Sequence, residues 1–171
     1  MNMNTDTLNN LSVDHNGHLP CRWCVNSNQV AYSLDDFSQN NAKNNSGLNF
    51  LTGDMHSTAD ALIDDSIIST CKYLNFIEFK AGAIEFQNIR RKALESLLVY
   101  CYWKNLETFD DISSKRRFIL VTGNSVQNDT VRARNMINRL KQNLVINRLY
   151  DGGIEYCSGK QFDSNFNNFV K

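Results

Sequence analysis

The chain has 171 residues, of which 42% are hydrophobic and 21% are charged, and its 18 acidic and 18 basic residues leave no net charge. This length supports one domain with a real core, and the composition is that of an ordinary globular protein. No apolar run approaches the roughly 18 to 20 residues that a membrane span needs, and the Asn-rich start lacks the basic and apolar regions of a signal peptide. We therefore expect a cytoplasmic protein with no membrane partner.

Four candidate zinc ligands stand near the start of the chain at regular two-residue gaps. They are His15, His18, Cys21 and Cys24. Histidine and cysteine are the side chains that zinc prefers, but its sites usually separate their ligand pairs by a longer loop. Residues 1–30 are therefore expected to be an N-terminal arm, either poorly ordered or folded as a small metal knuckle, in front of a single α/β domain over 31–171. The five cysteines, an odd number, favour free thiols over a disulfide framework.

The zero net charge hides an asymmetry along the chain. Residues 1–70 carry eight acidic and two basic residues, so the basic excess lies in the second half. Two compact basic clusters stand there: Arg90, Arg91 and Lys92, and then Lys115, Arg116 and Arg117. A basic face can hold a polyanion, so we expect these residues to contact nucleic acid, with solvated surfaces as the alternative.

Two neighbouring strands are predicted before the middle of the chain, after a short helix that opens at Ser33. Segment 57–63 predicts a strand with Asp60 near its start, and the aromatic and β-branched segment 73–80 predicts the best strand of the chain. The two are expected to form a hairpin. Side chains alternate across a strand, so Glu78 and Lys80 project from one face, about 7 Å apart.

The charged pair in segment 73–80 predicts a functional site. Burying charge is costly unless the charge is paired or binds a metal. Two alternatives remain open at this stage. The segment could be an edge strand whose charges face solvent, and Asp60 could be a turn or capping acid.

The second half of the chain predicts alternating helices and strands. An amphipathic helix is predicted over 84–103, and its Lys92 and Ser96, one turn apart, either face the Glu78 strand or edge the core. A buried strand over 118–122, a helix over 130–142, a hairpin over 145–157 and a short terminal helix around Phe162 and Phe166 follow. This order predicts an α/β fold with a central mixed β-sheet flanked by helices.

The acids on the two predicted strands suit a divalent metal. Asp60 and Glu78 can present carboxylate oxygens to one Mg²⁺ or Mn²⁺, which takes few protein ligands and leaves positions for water and substrate phosphate. The ion would activate water for in-line attack on a phosphodiester. Lys80 would orient that water or stabilise the developing negative charge.

An Asp on one strand, Glu-x-Lys at the end of the next strand and then a helix resemble the core of the PD-(D/E)xK, or restriction-endonuclease-like, nuclease superfamily. The similarity covers about residues 55–125, and 73–82 with the helix over 89–98 resembles uncharacterised bacterial members. The resemblance implies that Asp60 and Glu78 bind the metal and that Lys80 is the catalytic lysine. It also implies a restriction-endonuclease-like fold.

Two features depart from the family pattern. Ala59 stands where the family has Pro, and Asp35 and Asp36 are poor counterparts of the Glu that an N-terminal helix of the family often supplies. A shifted register would bring Asp64 or Asp65 to the place of Asp60.

Two functions follow from these observations. The first is metal-dependent hydrolysis of nucleic acid, with DNA favoured over RNA as the substrate. The second is a non-catalytic module of the same fold that binds or inhibits a partner. Either function is compatible with a homodimer.

Overall fold

The computed structural model describes residues 3–14, 22–23, 25–43, 57–80, 84–123 and 127–171. The four residues of the predicted zinc knuckle, His15, His18, Cys21 and Cys24, lie outside the described residues.

A six-stranded mixed sheet forms the centre of the fold. In chain order the strands are β1 (Thr5–Thr7), β2 (Val13–Asp14), β3 (Arg22–Trp23), β4 (Val30–Ser33), β5 (Ala61–Ile63), β6 (Tyr73–Lys80), β7 (Lys115–Thr122) and β8 (Gly153–Ser158). The sheet has the spatial order β1-β4-β5-β6-β7-β8, while β2 and β3 pair separately. Neighbours from β1 to β6 are antiparallel, and β6, β7 and β8 are parallel.

Helices cover both faces of this sheet, which confirms the predicted α/β fold with a mixed central sheet. They are α1 (Leu8–Leu11), α2 (Leu34–Lys43), α3 (Phe86–Lys104), α4 (Gln127–Gln142), α5 (Leu144–Leu149), α6 (Gly159–Ser164) and α7 (Phe166–Val170). Leu74 and Phe76 of β6 face one core with α2 to α5, and Ile77 and Phe79 face the other with α1, α6 and α7. No described helix is long and apolar enough to cross a bilayer.

The start of the chain belongs to the sheet, which differs from the separate arm expected over residues 1–30. Strand β1 pairs with β4 in register Thr5 to Tyr32. Leu8 and Val25 are fully buried in the same core as Ile77. The apolar contacts of these two residues explain the difference, since burying them requires this segment to pack on the sheet.

The predicted hairpin over 145–157 is wrong, because its first half is helix α5. The side chain of Asn143 caps this helix by accepting the N–H of Ile146 at 3.2 Å. Ile146 and Tyr150, four residues apart, are buried, whereas Leu144 and Val145 are exposed. Burial at this spacing is helical, and β8 pairs with β7 as a parallel strand instead.

Candidate active site

The register of β5 and β6 brings Asp60 beside Glu78. Ala61 pairs with Ile77, so Asp60, one residue earlier, comes next to Glu78 on the antiparallel partner. Asp64 follows the other end of β5 and forms an ion pair with Lys104 at 3.7 Å. Asp60 is therefore the acid that the hairpin brings to the Glu78 strand, and Asp64 is not.

Glu78 is a buried acid in a central strand. Strands β5 and β7 pair with β6 on either side, and the Glu78 side chain is 0% exposed. The alternative of an edge strand with solvent-facing charges is therefore wrong. Lys80 lies on the same face at the end of the strand, with 27% of its side chain exposed and its Nζ 3.1 Å from Oε1 of Glu78. A buried acid and a partly exposed amine thus stand together, as the sequence predicts.

A second lysine joins the two acids from above the sheet. Nζ of Lys92, on α3, lies 2.8 Å from Oε2 of Glu78 and 3.3 Å from Oδ1 of Asp60. These two oxygens are consequently no farther apart than the sum of those distances. The inward position of Lys92 corrects its predicted role as a surface contact for nucleic acid, because only 15% of its side chain is exposed.

Hydrogen bonds from three directions position Asp60. Its Oδ2 accepts the backbone N–H of Phe79 at 2.7 Å, and its backbone carbonyl accepts the N–H of Leu34 at 3.3 Å. Ser96 on α3 accepts the N–H of Ala59 at 2.8 Å. The carboxylate therefore caps a backbone group of the neighbouring strand, and α3 holds the residue before it in place.

Asp60 also lines an open acidic cleft on the α2 side of the site. The cleft has a volume of about 370 Å³, and its charged lining residues are Asp6, Asp35, Asp36 and Asp60. Asp35 lies close to the segment that carries Asp60, since Thr58 donates a hydrogen bond to its Oδ1 at 3.2 Å. Asp35 is thus nearer to the candidate site than its weak match to the family pattern indicates.

The charged groups of the site perturb one another. Burial, and after it the charge of Asp60, raise the pKa of Glu78 to about 8 against the opposing effect of Lys92 and Lys80. Burial also raises the pKa of Asp60 above its usual value, opposed by Lys92. Burial lowers the pKa of Lys92, but the two carboxylates outweigh that effect and the pKa ends above its ordinary value. Such perturbed groups are typical of functional sites.

The site offers carboxylate oxygens, which are the ligand type that magnesium prefers. Oε1 of Glu78 is buried and accepts no hydrogen bond from any described residue, the Lys80 contact lacking hydrogen-bond geometry. In the described part of the chain, no three His, Cys, Asp or Glu side chains are grouped to hold a metal ion. Mg²⁺ commonly binds through one or two carboxylates and completes its shell with water and phosphate.

The structure places the two predicted basic clusters in different parts of the fold. Arg90 is exposed on α3, and Arg91 forms an ion pair with Glu95 at 2.7 Å. The second cluster lies at the opposite end of the sheet, because Lys115 pairs with Tyr73 whereas Thr122 pairs with Lys80. It does not flank the acids.

Arg116 and Arg117 bind groups of the protein itself, which differs from the nucleic-acid contact expected of them. Arg116 contacts Asp151 at 3.3 Å and donates to the carbonyl of Phe109 at 2.9 Å. The Arg117 guanidinium stacks over the ring of Tyr73 at 3.7 Å and donates to the carbonyl of Phe169. These contacts stabilise the fold.

No protein-family model matches the chain, and the searches of curated proteins and of solved structures found no significant match.

Proposed function

We propose that this protein is a metal-dependent nuclease that hydrolyses phosphodiester bonds in DNA at a PD-(D/E)xK-like site formed by Asp60, Glu78 and Lys80. The observation that carries the proposal is the meeting of the two acids. Asp60 directly precedes β5, Glu78 lies on the neighbouring strand β6, and both contact the ammonium of Lys92. The order of strand, strand, helix, parallel strand and helix from β5 to α4 supports a restriction-endonuclease-like arrangement.

Each residue of the site has a role that its surroundings support. Asp60 and Glu78 would hold Mg²⁺ or Mn²⁺, which when bound supplies Lewis-acid chemistry at the phosphate. Lys80 stands at the partly exposed end of the strand, where its ammonium can stabilise negative charge that develops on a phosphate oxygen. The buried wall around Glu78 excludes water, which strengthens the electrostatic interactions there.

Helix α4 supports nucleic acid as the substrate class. It follows β7, whose last residues adjoin Lys80: Thr122 pairs with it, and Gly123 donates to its carbonyl at 2.8 Å. Four basic residues of the helix are exposed: Arg132, Arg134, Arg139 and Lys141. The Arg139 guanidinium stacks over the ring of Phe86 at 3.9 Å, and none of the four forms an ion pair with an acid of the described ranges. Exposed cations without such partners suit the phosphates of a DNA backbone.

A plasmid-nicking assay with Mg²⁺ or Mn²⁺ tests the proposal. We expect the parent protein to cleave, and Glu78→Gln and Lys80→Ala to lose about 100-fold or more in rate, as when one transition-state stabilising group is removed. Lys104→Ala is a matched control, since this lysine pairs with Asp64 away from the site. Equal activity in the parent and both site variants would contradict the proposal.

One observation favours a second function, a non-catalytic binding or inhibitory module of the same fold. Lys92 already neutralises the acids and satisfies one oxygen of each. A protein that retained this arrangement permanently would have no use for a metal ion. Salt-sensitive DNA binding without cleavage at any divalent-ion concentration would support this second function over the first.

A further inference from the structure

We propose that Lys92 is a tethered cation that stands in the place of the divalent ion between Asp60 and Glu78 and must move aside before that ion binds. The inference rests on the proposed metal site, and it adds a residue that controls how tightly the site binds metal.

The position of the ammonium carries the argument. Nζ of Lys92 contacts one carboxylate oxygen of Glu78 at 2.8 Å and one of Asp60 at 3.3 Å. An ion held by these same two oxygens, Oε2 of Glu78 and Oδ1 of Asp60, would need the space that the ammonium fills. Two cations cannot share that space, because like charges a few ångströms apart repel strongly in a poorly solvated site. Binding of the ion and the inward position of Lys92 are therefore mutually exclusive.

The structure allows the side chain to move while its helix stays in place. Ser96 donates a hydrogen bond to the carbonyl of Lys92 at 2.6 Å and accepts the N–H of Ala59, which ties the α3 backbone to the strand segment. Only the four-carbon stem of Lys92 needs to rotate. Asp60 opens to the acidic cleft, which Asp35 also lines, and the charge of Asp35 already acts on the Lys92 ammonium from that side.

The need to displace Lys92 lowers the affinity of the site for metal. The ion must break two ion pairs that the parent protein already has, so the parent binds metal more weakly than the same acids would without Lys92. Without metal, both acids have Lys92 as a cationic partner.

Mn²⁺ affinity measured by isothermal titration calorimetry tests the inference without reference to cleavage. We expect Lys92→Met and Lys92→Gln to bind Mn²⁺ at least tenfold more tightly than the parent. Lys92→Arg keeps the charge and should not bind more tightly, and Lys104→Met should match the parent. Circular dichroism establishes that each variant is folded. If folded Lys92→Met or Lys92→Gln bound Mn²⁺ no more tightly than the parent, the inference would be overturned.

A second measurement needs no substitution. Acetylation by acetic anhydride, read residue by residue by mass spectrometry, reports how accessible each lysine amine is. We expect Lys92 in the parent to be protected without metal and to gain reactivity several-fold at saturating Mg²⁺, while Lys104 stays constant. Unchanged Lys92 reactivity at a Mg²⁺ concentration where calorimetry shows binding would overturn the inference. Cleavage by a parent whose Lys92 fails both tests would leave the proposed nuclease function intact.

Discussion

Oδ2 of Asp60 accepts the backbone N–H of Phe79 across the strand boundary at 2.7 Å. The acid that would bind metal also satisfies a backbone group of the strand that carries Glu78. The geometry of the site and the stability of the hairpin therefore depend on the same side chain.

This double role predicts different stabilities for two substitutions of Asp60. Asp60→Asn keeps an oxygen that can accept the Phe79 N–H, whereas Asp60→Ala leaves that donor without its partner. We expect Asp60→Ala to be less stable than Asp60→Asn by about 1 to 3 kcal/mol, the cost of an unsatisfied buried donor. Urea unfolding of both variants measures the difference. Equal unfolding free energies would show that the hydrogen bond contributes nothing.

The raised pKa of Glu78 predicts how stability changes with pH. The folded-state pKa of about 8 lies above the ordinary value of 4.5. The stabilising contribution of this group is thus complete below pH 4.5 and is lost as the pH rises through 8. Glu78→Gln cannot lose a proton. We expect the parent to lose unfolding free energy relative to Glu78→Gln between pH 5 and 9, measured in EDTA.

Two outcomes would contradict this prediction. A constant difference in unfolding free energy between the parent and Glu78→Gln from pH 5 to 9 would show that folding does not raise the pKa of Glu78. A parent that gained stability over the variant only as the pH rises towards 4.5 would show that the lysines lower this pKa instead. Glu95→Gln is a suitable control at a partly exposed acid of α3.

Much of the candidate site could be predicted from the sequence because it depends on local patterns. The alternation of a strand puts Glu78 and Lys80 on one face, and a short connection makes segment 73–80 the antiparallel neighbour of the strand after Asp60. Both features depend on near neighbours in the chain. Charge in an apolar strand then indicated the site.

Two predictions for Lys92 conflict: its place next to two arginines indicates a nucleic-acid contact, whereas its spacing from Ser96 allows it to face the Glu78 strand, as it does. The helical spacing supports the inward position. Ile89, Ala93 and Ser96 are buried, and Lys92 lies on the same face of the helix. The residues near Arg117 in the sequence do not indicate its structural role. Its partners Gly152, Glu155 and Phe169 come from distant segments that only the parallel strand β8 and helix α7 bring together.

The exposed face of α4 predicts a strong effect on DNA binding. Arg132 and Arg139 lie two helical turns apart on one side of the helix and are both exposed. We expect the double variant Arg132→Gln and Arg139→Gln to bind duplex DNA more weakly in EDTA. The slope of log K against log salt should fall by about 0.9 for each DNA phosphate that the variant no longer neutralises. Fluorescence anisotropy between 50 and 200 mM salt measures it.

A charge-matched control for this prediction lies at the other end of the sheet. Lys72 and Lys115 are exposed near the start of β6 and β7. Replacing both with Gln removes the same charge, and we expect it to change the salt slope much less. If the two double variants weakened binding equally, overall charge rather than the α4 surface would explain DNA affinity.

Arg117 predicts a stability effect without an effect on the site. Its guanidinium joins β7 to the carbonyl of Phe169 in α7 and stacks over Tyr73, with 8% of the residue exposed. Lysine cannot reproduce this planar, multiply bonded geometry, so we expect Arg117→Lys to lose about 1 to 3 kcal/mol of unfolding free energy. Because Arg117 lies at the end of the sheet away from Glu78, the DNA affinity of the folded variant should equal that of the parent. A stable variant with weakened DNA binding would instead return Arg117 to the nucleic-acid surface.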